Sequence, residues 1–405
     1  MRSIHLALAA TLAALPAAAQ TPAACDAPKQ TTTLPAVIPI DFWSNHIYVK
    51  VCANGRTLDF ILDTGAGATY IDMSNARAAG IKLGQTFSVG GAGAGQIGGA
   101  QMDGQSLTIA GTSITQPITA ALDLSALPAH EGHRMDGILG ADFIARNVIA
   151  IDYAKRELRL YDRPSFTYSG SGTTLHVTFA QSHPHVDGEI RLANGETLKG
   201  RFVIDVGSGN GLSLAKPFVE DNKLETKIAP LMRRSGGGGV GGAIVSEFGR
   251  IPALTLGGVT LNNVVTQLVV DSGGVFAQRG SWVGNIGGDI LRRFTVYFDY
   301  EAKRMILEPN ETISEAFETD MSGLQTVMND SLTTMRVDFV LPGSPAADAG
   351  LVRGDDIVSV DGVEVATRAR ALMRDRFRRT GEHVKFVIRR GGETKTVELV
   401  TRRLV

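Results

Sequence analysis

Short runs of alternating apolar and polar residues, separated by tight-turn signals, dominate the chain from residue 35 to residue 309. The run Ile47 to Val51 alternates in this way, and Asn54-Gly55, a pair typical of two-residue hairpin turns, follows it. A strand with this period of two places one face on a core and the other in solvent. The pattern therefore predicts a mainly β architecture built from many short strands.

Helical patterns are few, and the longest one lies near the C-terminus. Short helices are predicted at Phe143 to Arg146 and Ile290 to Arg293, and a longer one at Arg368 to Arg379. Two more strands are predicted at Val384 to Ile388 and Thr396 to Leu399. The change of pattern after residue 309 predicts a separate small α/β domain of about ninety residues.

The β region contains an internal repeat. Ala53 to Leu58 and Ala193 to Leu198 share the pattern Ala-Asn-Gly-X-Thr-Leu, and Gly140 to Asp142 reappears as Gly287 to Asp289. Repetition in the same order and at similar spacing indicates a duplicated unit. The predicted organisation is a signal peptide at 1–19, a flexible lead-in at 20–34, a first lobe at 35–163, a second lobe at 164–311 and a C-terminal domain at 315–405.

The first nineteen residues predict export. Arg2 precedes a short apolar run, and small residues end at Ala19, which is typical of a cleavable secretory signal. The run is too short to span a membrane and no other stretch is long enough, so we expect a periplasmic or secreted protein without a membrane span. A formal net charge of −1 argues against a nucleic-acid partner.

Cys25 and Cys52 are the only cysteines of the chain. In an oxidising compartment they could form a disulfide that ties the lead-in to the first lobe, but the sequence alone leaves the pairing open. Two distant cysteines and dispersed histidines supply no metal-ligand set. We therefore expect neither a metal nor another cofactor.

Two Asp-X-Gly motifs stand at matching positions of the repeat, each after an apolar run. One such motif is typical of an ordinary turn. Two in matched surroundings predict a pair of carboxylates, Asp63 and Asp205, that face each other, share one proton and activate a water. The predicted active-site loops comprise Asp63, Thr64 and Gly65 in the first lobe and Asp205, Val206, Gly207 and Ser208 in the second.

These motifs, with the apolar-apolar-Gly steps Ile138 to Gly140 and Asn285 to Gly287, resemble the pepsin and retropepsin clan of aspartic proteases over most of residues 35–309. The resemblance implies a two-lobed acid-protease β-barrel fold, an Asp63/Asp205 dyad and endopeptidase activity on peptides or unfolded proteins. A paired-carboxylate glycosidase is the other enzymatic interpretation, but it predicts no twofold repeat.

The second lobe departs from the family pattern after its Asp. The family carries Thr or Ser there, and its hydroxyl bonds across to the opposite lobe; Thr64 fits and Val206 does not. One lost hydroxyl bond costs on the order of 1 kcal/mol, which loosens the dyad without abolishing it. Ser208 stands where the first lobe has Ala66, and a hydroxyl bonded to Asp205 would favour Asp205 as the base and Asp63 as the acid.

Glycine-rich segments follow each Asp by about thirty residues, where the clan has a flap hairpin over the substrate. The segment Gly93 to Gly98 formally matches a dinucleotide fingerprint, but no βαβ unit surrounds it. A plain mobile loop is the alternative to a flap. Neither segment contains a tyrosine, which favours the retropepsin-like branch. The predicted flap residues are Gly93, Gly95, Gly238 and Gly239.

The C-terminal region resembles a bacterial PDZ domain through Gly343 to Ala346, Ala349 to Leu351 and Val360 to Gly362. The resemblance implies capture of a peptide C-terminus by β-augmentation. It assigns the carboxylate to a loop with Gly323, Leu324 and Gln325, and the other wall to the helix Arg368 to Arg379. The arginines of that helix are most simply a solvated face; attraction of acidic peptides is the alternative.

The sequence therefore predicts an exported aspartic endopeptidase whose PDZ domain recruits substrates or gates the protease. The alternative is a catalytically degenerate protease fold, disabled through Val206, that scaffolds partners through its PDZ domain. A third interpretation is a dimer in which the Asp63 loops of two chains pair, although Asp205 makes this unnecessary.

Overall fold

The computed structural model describes residue 25 and residues 31–271, 273–367 and 369–405. The predicted signal peptide at 1–19, most of the lead-in at 20–34 and Arg368, the first residue of the predicted PDZ helix, lie outside these described residues.

The first lobe is a closed β-barrel. Its elements are β1 (Ala36–Pro39), β2 (Asp41–Trp43), β3 (His46–Ala53), β4 (Arg56–Leu62), β5 (Tyr70–Asp72), α1 (Met73–Ala78), β6 (Thr86–Gly90), β7 (Gln96–Ile109), β8 (Thr115–Leu122), α2 (Leu127–Glu131), β9 (Gly137–Leu139), α3 (Ala141–Ile144), β10 (Val148–Asp152) and β11 (Glu157–Tyr161). Eight strands pair in the order β2-β3-β4-β9-β5-β8-β7-β6, and a further pairing of β3 with β7 closes the sheet.

The second lobe repeats this barrel. Its elements are β12 (Thr173–His176), β13 (Thr178–Ala180), β14 (His183–Arg191), β15 (Thr197–Ile204), β16 (Leu212–Leu214), α4 (Lys216–Asp221), α5 (Leu224–Lys227), β17 (Met232–Gly239), β18 (Gly242–Leu256), β19 (Val259–Val269), β20 (Gly284–Ile286), α6 (Gly288–Leu291), β21 (Phe294–Asp299) and β22 (Arg304–Pro309). The strand order β13-β14-β15-β20-β16-β19-β18-β17, closed by β14 with β18, matches that of the first lobe strand for strand.

A six-stranded sheet joins the two lobes. Its order is β1-β11-β10-β21-β22-β12, so strands of the first lobe occupy one half and strands of the second lobe the other. The central pair is antiparallel, with Ile149 opposite Phe298 and Ile151 opposite Val296, and all four side chains are buried. Each buried aliphatic or aromatic side chain of this kind contributes about 1.5–3 kcal/mol, so the sheet fixes the two barrels relative to each other.

The C-terminal region forms a separate sheet with its own core. Its elements are β23 (Leu324–Met328), β24 (Met335–Val340), α7 (Pro345–Asp348), β25 (Asp356–Val360), β26 (Val363–Glu364), α8 (Ala369–Arg376), β27 (His383–Arg390) and β28 (Glu393–Val400). The sheet order is β23-β24-β25-β27-β28, with β26 paired to β25. Leu324, Met373 and Phe386 belong to a cluster distinct from that of the lobes.

The predicted fold class, mainly β with two barrel lobes and a small α/β domain, is confirmed. The short helices begin two residues earlier than predicted, at Ala141 and Gly288, because Asp142 and Asp289 lie in their first turns, where a carboxylate is favourable. The predicted PDZ helix ends at Arg376 rather than Arg379, since the next residues form a tighter turn in which Arg379 N–H donates to Arg376 C=O.

The structure joins Cys25 to Cys52 in a disulfide, the pairing that the sequence left open. The backbone N–H of Cys25 also donates to the carbonyl of Gly55 at 3.0 Å. Cys52 lies in β3, so this bond fastens the N-terminal segment to the first barrel.

We expect the double substitution Cys25→Ser/Cys52→Ser to lower the free energy of unfolding by about 3 kcal/mol, because it removes a cross-link that closes a loop of moderate length. Chemical denaturation of the oxidised wild type and of the variant measures the difference. The wild type in a reducing agent should behave like the variant. Equal stability of all three samples would contradict the prediction.

Candidate active site

Both predicted active-site loops leave the ends of corresponding strands. Asp63 follows β4 and Asp205 follows β15, and each of these strands pairs in parallel with a short strand of the same lobe, β9 or β20. The N–H of Asp63 donates to the carbonyl of Leu139, and that of Asp205 to the carbonyl of Ile286, both at 2.9 Å. The backbone of each loop is therefore held by the same contact in both lobes.

The two carboxyl groups face each other across the lobe boundary and are hydrogen-bonded to one another. Gly65 N–H donates to Asp63 Oδ1 at 2.7 Å, and Gly207 N–H donates to Asp205 Oδ1 at 2.9 Å. A Cβ on Gly207 would lie 2.3 Å from Asp63 Cγ, and one on Gly65 would lie 3.0 Å from Asp205 Cγ. Glycine is needed because each loop presses against the carboxyl group of the other lobe.

Thr64 connects the two lobes beneath the dyad. Its hydroxyl donates to the carbonyl of Ile204 at 2.6 Å and accepts from the N–H of Val206 at 3.0 Å, and the side chain is fully buried. Val206 is equally buried but has no hydroxyl with which to make the reciprocal pair. The bridge between the loops is therefore one-sided, as expected from the departure at this position.

A second asymmetry, which the sequence analysis missed, places Asn285 against the dyad. Asn285 occupies β20 at the position where β9 has Ile138, and both side chains are buried. Its amide donates to Asp205 Oδ2 at 2.8 Å. The sequence signal for this contact was an amide residue in an otherwise apolar strand. The comparison of the two repeats treated that residue only as part of an apolar-apolar-Gly step.

The electrostatics of the pair are unequal. Burial raises the pKa of Asp63 well above its ordinary range, the charge of Asp205 and the hydrogen bond between the two carboxyl groups raise it further, and the N–H groups of Gly65 and Ala66 only partly oppose the shift. The shared proton is therefore favoured on Asp63, while the Asn285 amide donates a hydrogen bond to Asp205 only.

The reason given for this asymmetry from sequence was wrong. No hydrogen bond joins the hydroxyl of Ser208 to Asp205 among the described residues; the backbone N–H of Ser208 donates to the main-chain carbonyl of Asp205 instead. The side chain that bonds the Asp205 carboxylate is Asn285. The motif comparison aligned Asn285 with Ile138 but did not identify it as a donor to Asp205, eighty residues upstream along the chain.

The charges of the two Asp residues act on the pKa of two further side chains. The phenol of Tyr300 is buried without a hydrogen-bond partner in the described part of the chain, and burial, followed by the charges of Asp63 and Asp205, raises its pKa. His183, at the start of β14, has its pKa lowered by burial, while the charge of Asp205 acts in the opposite direction. Both lie within electrostatic reach of the pair.

The predicted flaps are hairpins, and they touch each other. Gly93 and Gly95 lie at the tip between β6 and β7, and their N–H groups donate to the carbonyls of Val240 at 3.0 Å and Gly241 at 2.8 Å. Gly238 and Gly239 lie at the end of β17, just before the second tip. The structure thus shows the two flaps closed on one another.

The predicted carboxylate loop of the C-terminal domain lies immediately before and within β23. Gly323 has a positive φ of 71°, and the N–H of Leu324 donates to the hydroxyl of Ser322 at 3.0 Å. Gln325 is half-buried within β23.

The described residues contain no cluster of three or more His, Cys, Asp or Glu side chains able to hold a metal ion.

Comparison with known proteins finds family matches in two segments of the chain. Residues 49–143, which include Asp63, match the family model "Aspartyl protease", and residues 321–401 match the model "PDZ domain". A solved structure of an aspartic proteinase from Irpex lacteus is similar at 15% identity, over 69% of this chain and 98% of that one, with a TM-score of 0.40. A comparison with curated proteins finds no match. The chain carries an aspartyl protease-like domain and a PDZ domain.

We expect Thr64→Val to lower the free energy of unfolding by about 1–3 kcal/mol, because it leaves the Ile204 carbonyl and the Val206 N–H buried without a partner. Chemical denaturation measures the change. Thr115→Val, at an exposed position of β8, is the matched control and should stay within about 0.5 kcal/mol of the wild type. A Thr64→Val variant as stable as this control would contradict the bridging role.

Proposed function

We propose that this protein is an aspartic endopeptidase that hydrolyses peptide bonds with the Asp63/Asp205 dyad. The observation that carries the proposal is the close, hydrogen-bonded contact of the two half-buried carboxyl groups, with the glycine of each loop pressed against the Asp of the other lobe. The family match of residues 49–143 supports the same reaction class. Both acidic groups come from one chain, so the proposal needs no second copy.

The two carboxyl groups have different roles in the proposed reaction. Asp205, supported by the Asn285 amide, is the base that takes a proton from a water as its oxygen attacks the peptide carbonyl. Asp63, which holds the shared proton, donates a hydrogen bond to the carbonyl oxygen as negative charge develops there. Proton transfer to the amine then completes the cleavage of the C–N bond.

Access to the dyad depends on the flaps. Because both tips contact one another, a substrate has to separate them before its backbone can reach Asp63 and Asp205. An extended segment fits such a site better than a folded surface. The proposed substrates are therefore peptides or unfolded proteins, and the PDZ domain is proposed to bind peptide C-termini.

An exported location belongs to the same proposal. The signal-like sequence of residues 1–19 and the Cys25–Cys52 disulfide both fit an oxidising compartment such as the periplasm or the exterior. No helix in the described part of the chain is long and apolar enough to cross a membrane.

The test is cleavage of a denatured protein by residues 20–405 between pH 3 and pH 8. We expect Asp63→Asn and Asp205→Asn each to lower the rate by at least about 100-fold, because each removes one half of the acid–base pair. Asp103→Asn, at an exposed position of β7, is the control and should leave the rate unchanged. Gel electrophoresis and a fluorogenic casein assay measure the cleavage.

The stability of each variant shows whether a loss of activity comes from lost catalysis or from unfolding. The raised pKa of Asp63 means that the folded chain binds this proton more tightly than the unfolded chain, so its stabilising effect is lost as pH rises above the ordinary Asp range near 4. Asp63→Asn should therefore be at least as stable as the wild type near pH 7.

The cleavage results also distinguish the alternatives. If only Asp63→Asn is inactive, a dimer of first lobes is favoured. If the wild type cuts nothing, a binding protein is favoured.

Asn285→Ile tests the origin of the asymmetry, since Ile stands at the equivalent position of the first lobe. Without the amide donor the dyad should bind its proton more tightly, so the acid limb of the pH–rate profile should move to higher pH by about one unit. The pH dependence of kcat/KM measures this shift, with circular dichroism as the folding check. A lower rate with an unmoved acid limb would contradict the proposed role of Asn285.

A further inference from the structure

Three arginines of the PDZ helix and its extension face the protease lobes. Arg370, Arg374 and Arg378 follow one another at every fourth position, so they form one stripe along α8 and its C-terminal extension. All three side chains are half-buried, and burial lowers the pKa of Arg370 and of Arg374. The expectation of a solvated helix face is wrong for this stripe, which we term the arginine stripe.

Each member of the arginine stripe has a partner in the lobes. Arg370 donates to the carbonyl of Ala129 at 3.3 Å and to that of His130, both in α2 of the first lobe. Arg378 contacts the carboxylate of Asp289 in α6 at 3.4 Å. Two of these acceptors are main-chain carbonyls, so the contact holds the helix end of α2 as well as a surface charge.

Arg374 reaches the turn that supports the second catalytic loop. It donates to the hydroxyl of Ser44 and lies 5.0 Å from the ring centroid of Trp43, in the hairpin between β2 and β3. The next residue, Asn45, donates its amide to the carbonyl of Gly209 at 2.9 Å. Gly209 lies four residues after Asp205, so PDZ helix, hairpin turn and catalytic loop are connected by direct contacts.

The same part of the first lobe occupies the predicted peptide groove. The helix α2 lies against β23, the strand that a bound peptide would extend, and it bonds Arg370 of α8, the opposite wall. It also packs beside β17, the first strand of the second flap. No other described strand pairs with the outer edge of β23. A peptide added to that edge would meet α2.

The second flap is tied to the carboxylate loop. Arg234 in β17 forms an ion pair with Asp320 at 3.6 Å. Asp320 in turn accepts from the N–H and the hydroxyl of Ser322, both at 2.6 Å. The Ser322 hydroxyl oxygen accepts from the N–H of Leu324. A change in the carboxylate loop therefore acts on the strand that carries the flap.

We infer that the PDZ domain locks the protease in its closed state, and that a peptide with a free C-terminal carboxylate competes with α2 for the groove and releases the second flap. The inference rests on the proposed endopeptidase function for its effect on rate, but the lock itself is a contact between domains. The ligand class follows from the groove: an extended chain end whose carboxylate displaces the internal contacts of residues 322–324.

The lock is tested by Arg370→Ala/Arg374→Ala, with Arg379→Ala, exposed just beyond α8, as the matched control. Hydrogen exchange followed by mass spectrometry should show faster exchange at α2 and β17 in the double variant only. The cleavage rate of a denatured protein should rise at least about fivefold, the lower end of ordinary coupling between sites. Unchanged exchange at α2 overturns the lock, and faster exchange with an unchanged rate overturns its regulatory role.

The competing ligand is tested in the Asp63→Asn background, so that peptides are not cut. The probe is a mixture of random decapeptides with free C-termini, compared with the same mixture carrying C-terminal amides. The free-acid mixture should accelerate exchange at α2 and β17, and the amide mixture should not. Equal effects of the two mixtures, or none, overturn the competition.

The two sets of results also separate the lock from the proposed function. If neither wild type nor double variant cleaves any substrate, the endopeptidase proposal fails, while faster exchange at α2 and β17 still supports the lock. If both cleave at the same rate and exchange alike, the endopeptidase proposal stands and the lock fails. A circular dichroism melt of the double variant excludes unfolding as the source of faster exchange.

Discussion

The close contact of two half-buried carboxyl groups, Asp63 and Asp205, is the constraint on which the rest of this structure depends. Two carboxyl groups in close contact cannot both ionise without a large electrostatic free-energy cost. The pair therefore persists only while rigid surroundings hold it together. Those surroundings are the parallel pairings of β4 with β9 and of β15 with β20, the six-stranded sheet between the lobes, and the Thr64 bridge. Each of these elements crosses or flanks the lobe boundary, where a small displacement would separate the carboxyl groups.

Duplication gives the two loops the same backbone, and substitutions then make their chemistry unequal. Two identical lobes would present two equivalent carboxyl groups with no preference for the position of the shared proton. Asn285 in place of Ile138 supplies a donor to one carboxylate only, and Val206 in place of a hydroxyl residue removes one of two bridges. The departures from symmetry therefore lie at the contacts of the two carboxyl groups and of their loops, where they make one lobe differ from the other.

The sequence was sufficient for the features that repeat or that depend on local pattern. Alternation predicted the strands, and matched Asp-X-Gly motifs predicted that Asp63 and Asp205 meet. It failed for contacts between distant segments, because nothing in the local surroundings of Asn285 or Arg374 shows which group lies opposite. Ser208 shows the converse error: a hydroxyl near Asp205 along the chain bonds through its backbone and not through its side chain.

The arginine stripe illustrates why such an interface is hard to predict from charge. Arg370 takes main-chain carbonyls as acceptors and Arg374 takes a hydroxyl and an aromatic face, so no complementary acidic run marks the docking surface. A guanidinium group suits these partners, since it is weakly hydrated, planar and rich in donors. The partners belong to elements that contact Gly209, just after Asp205, and β17. A PDZ domain attached through these elements cannot change position without altering contacts with both lobes.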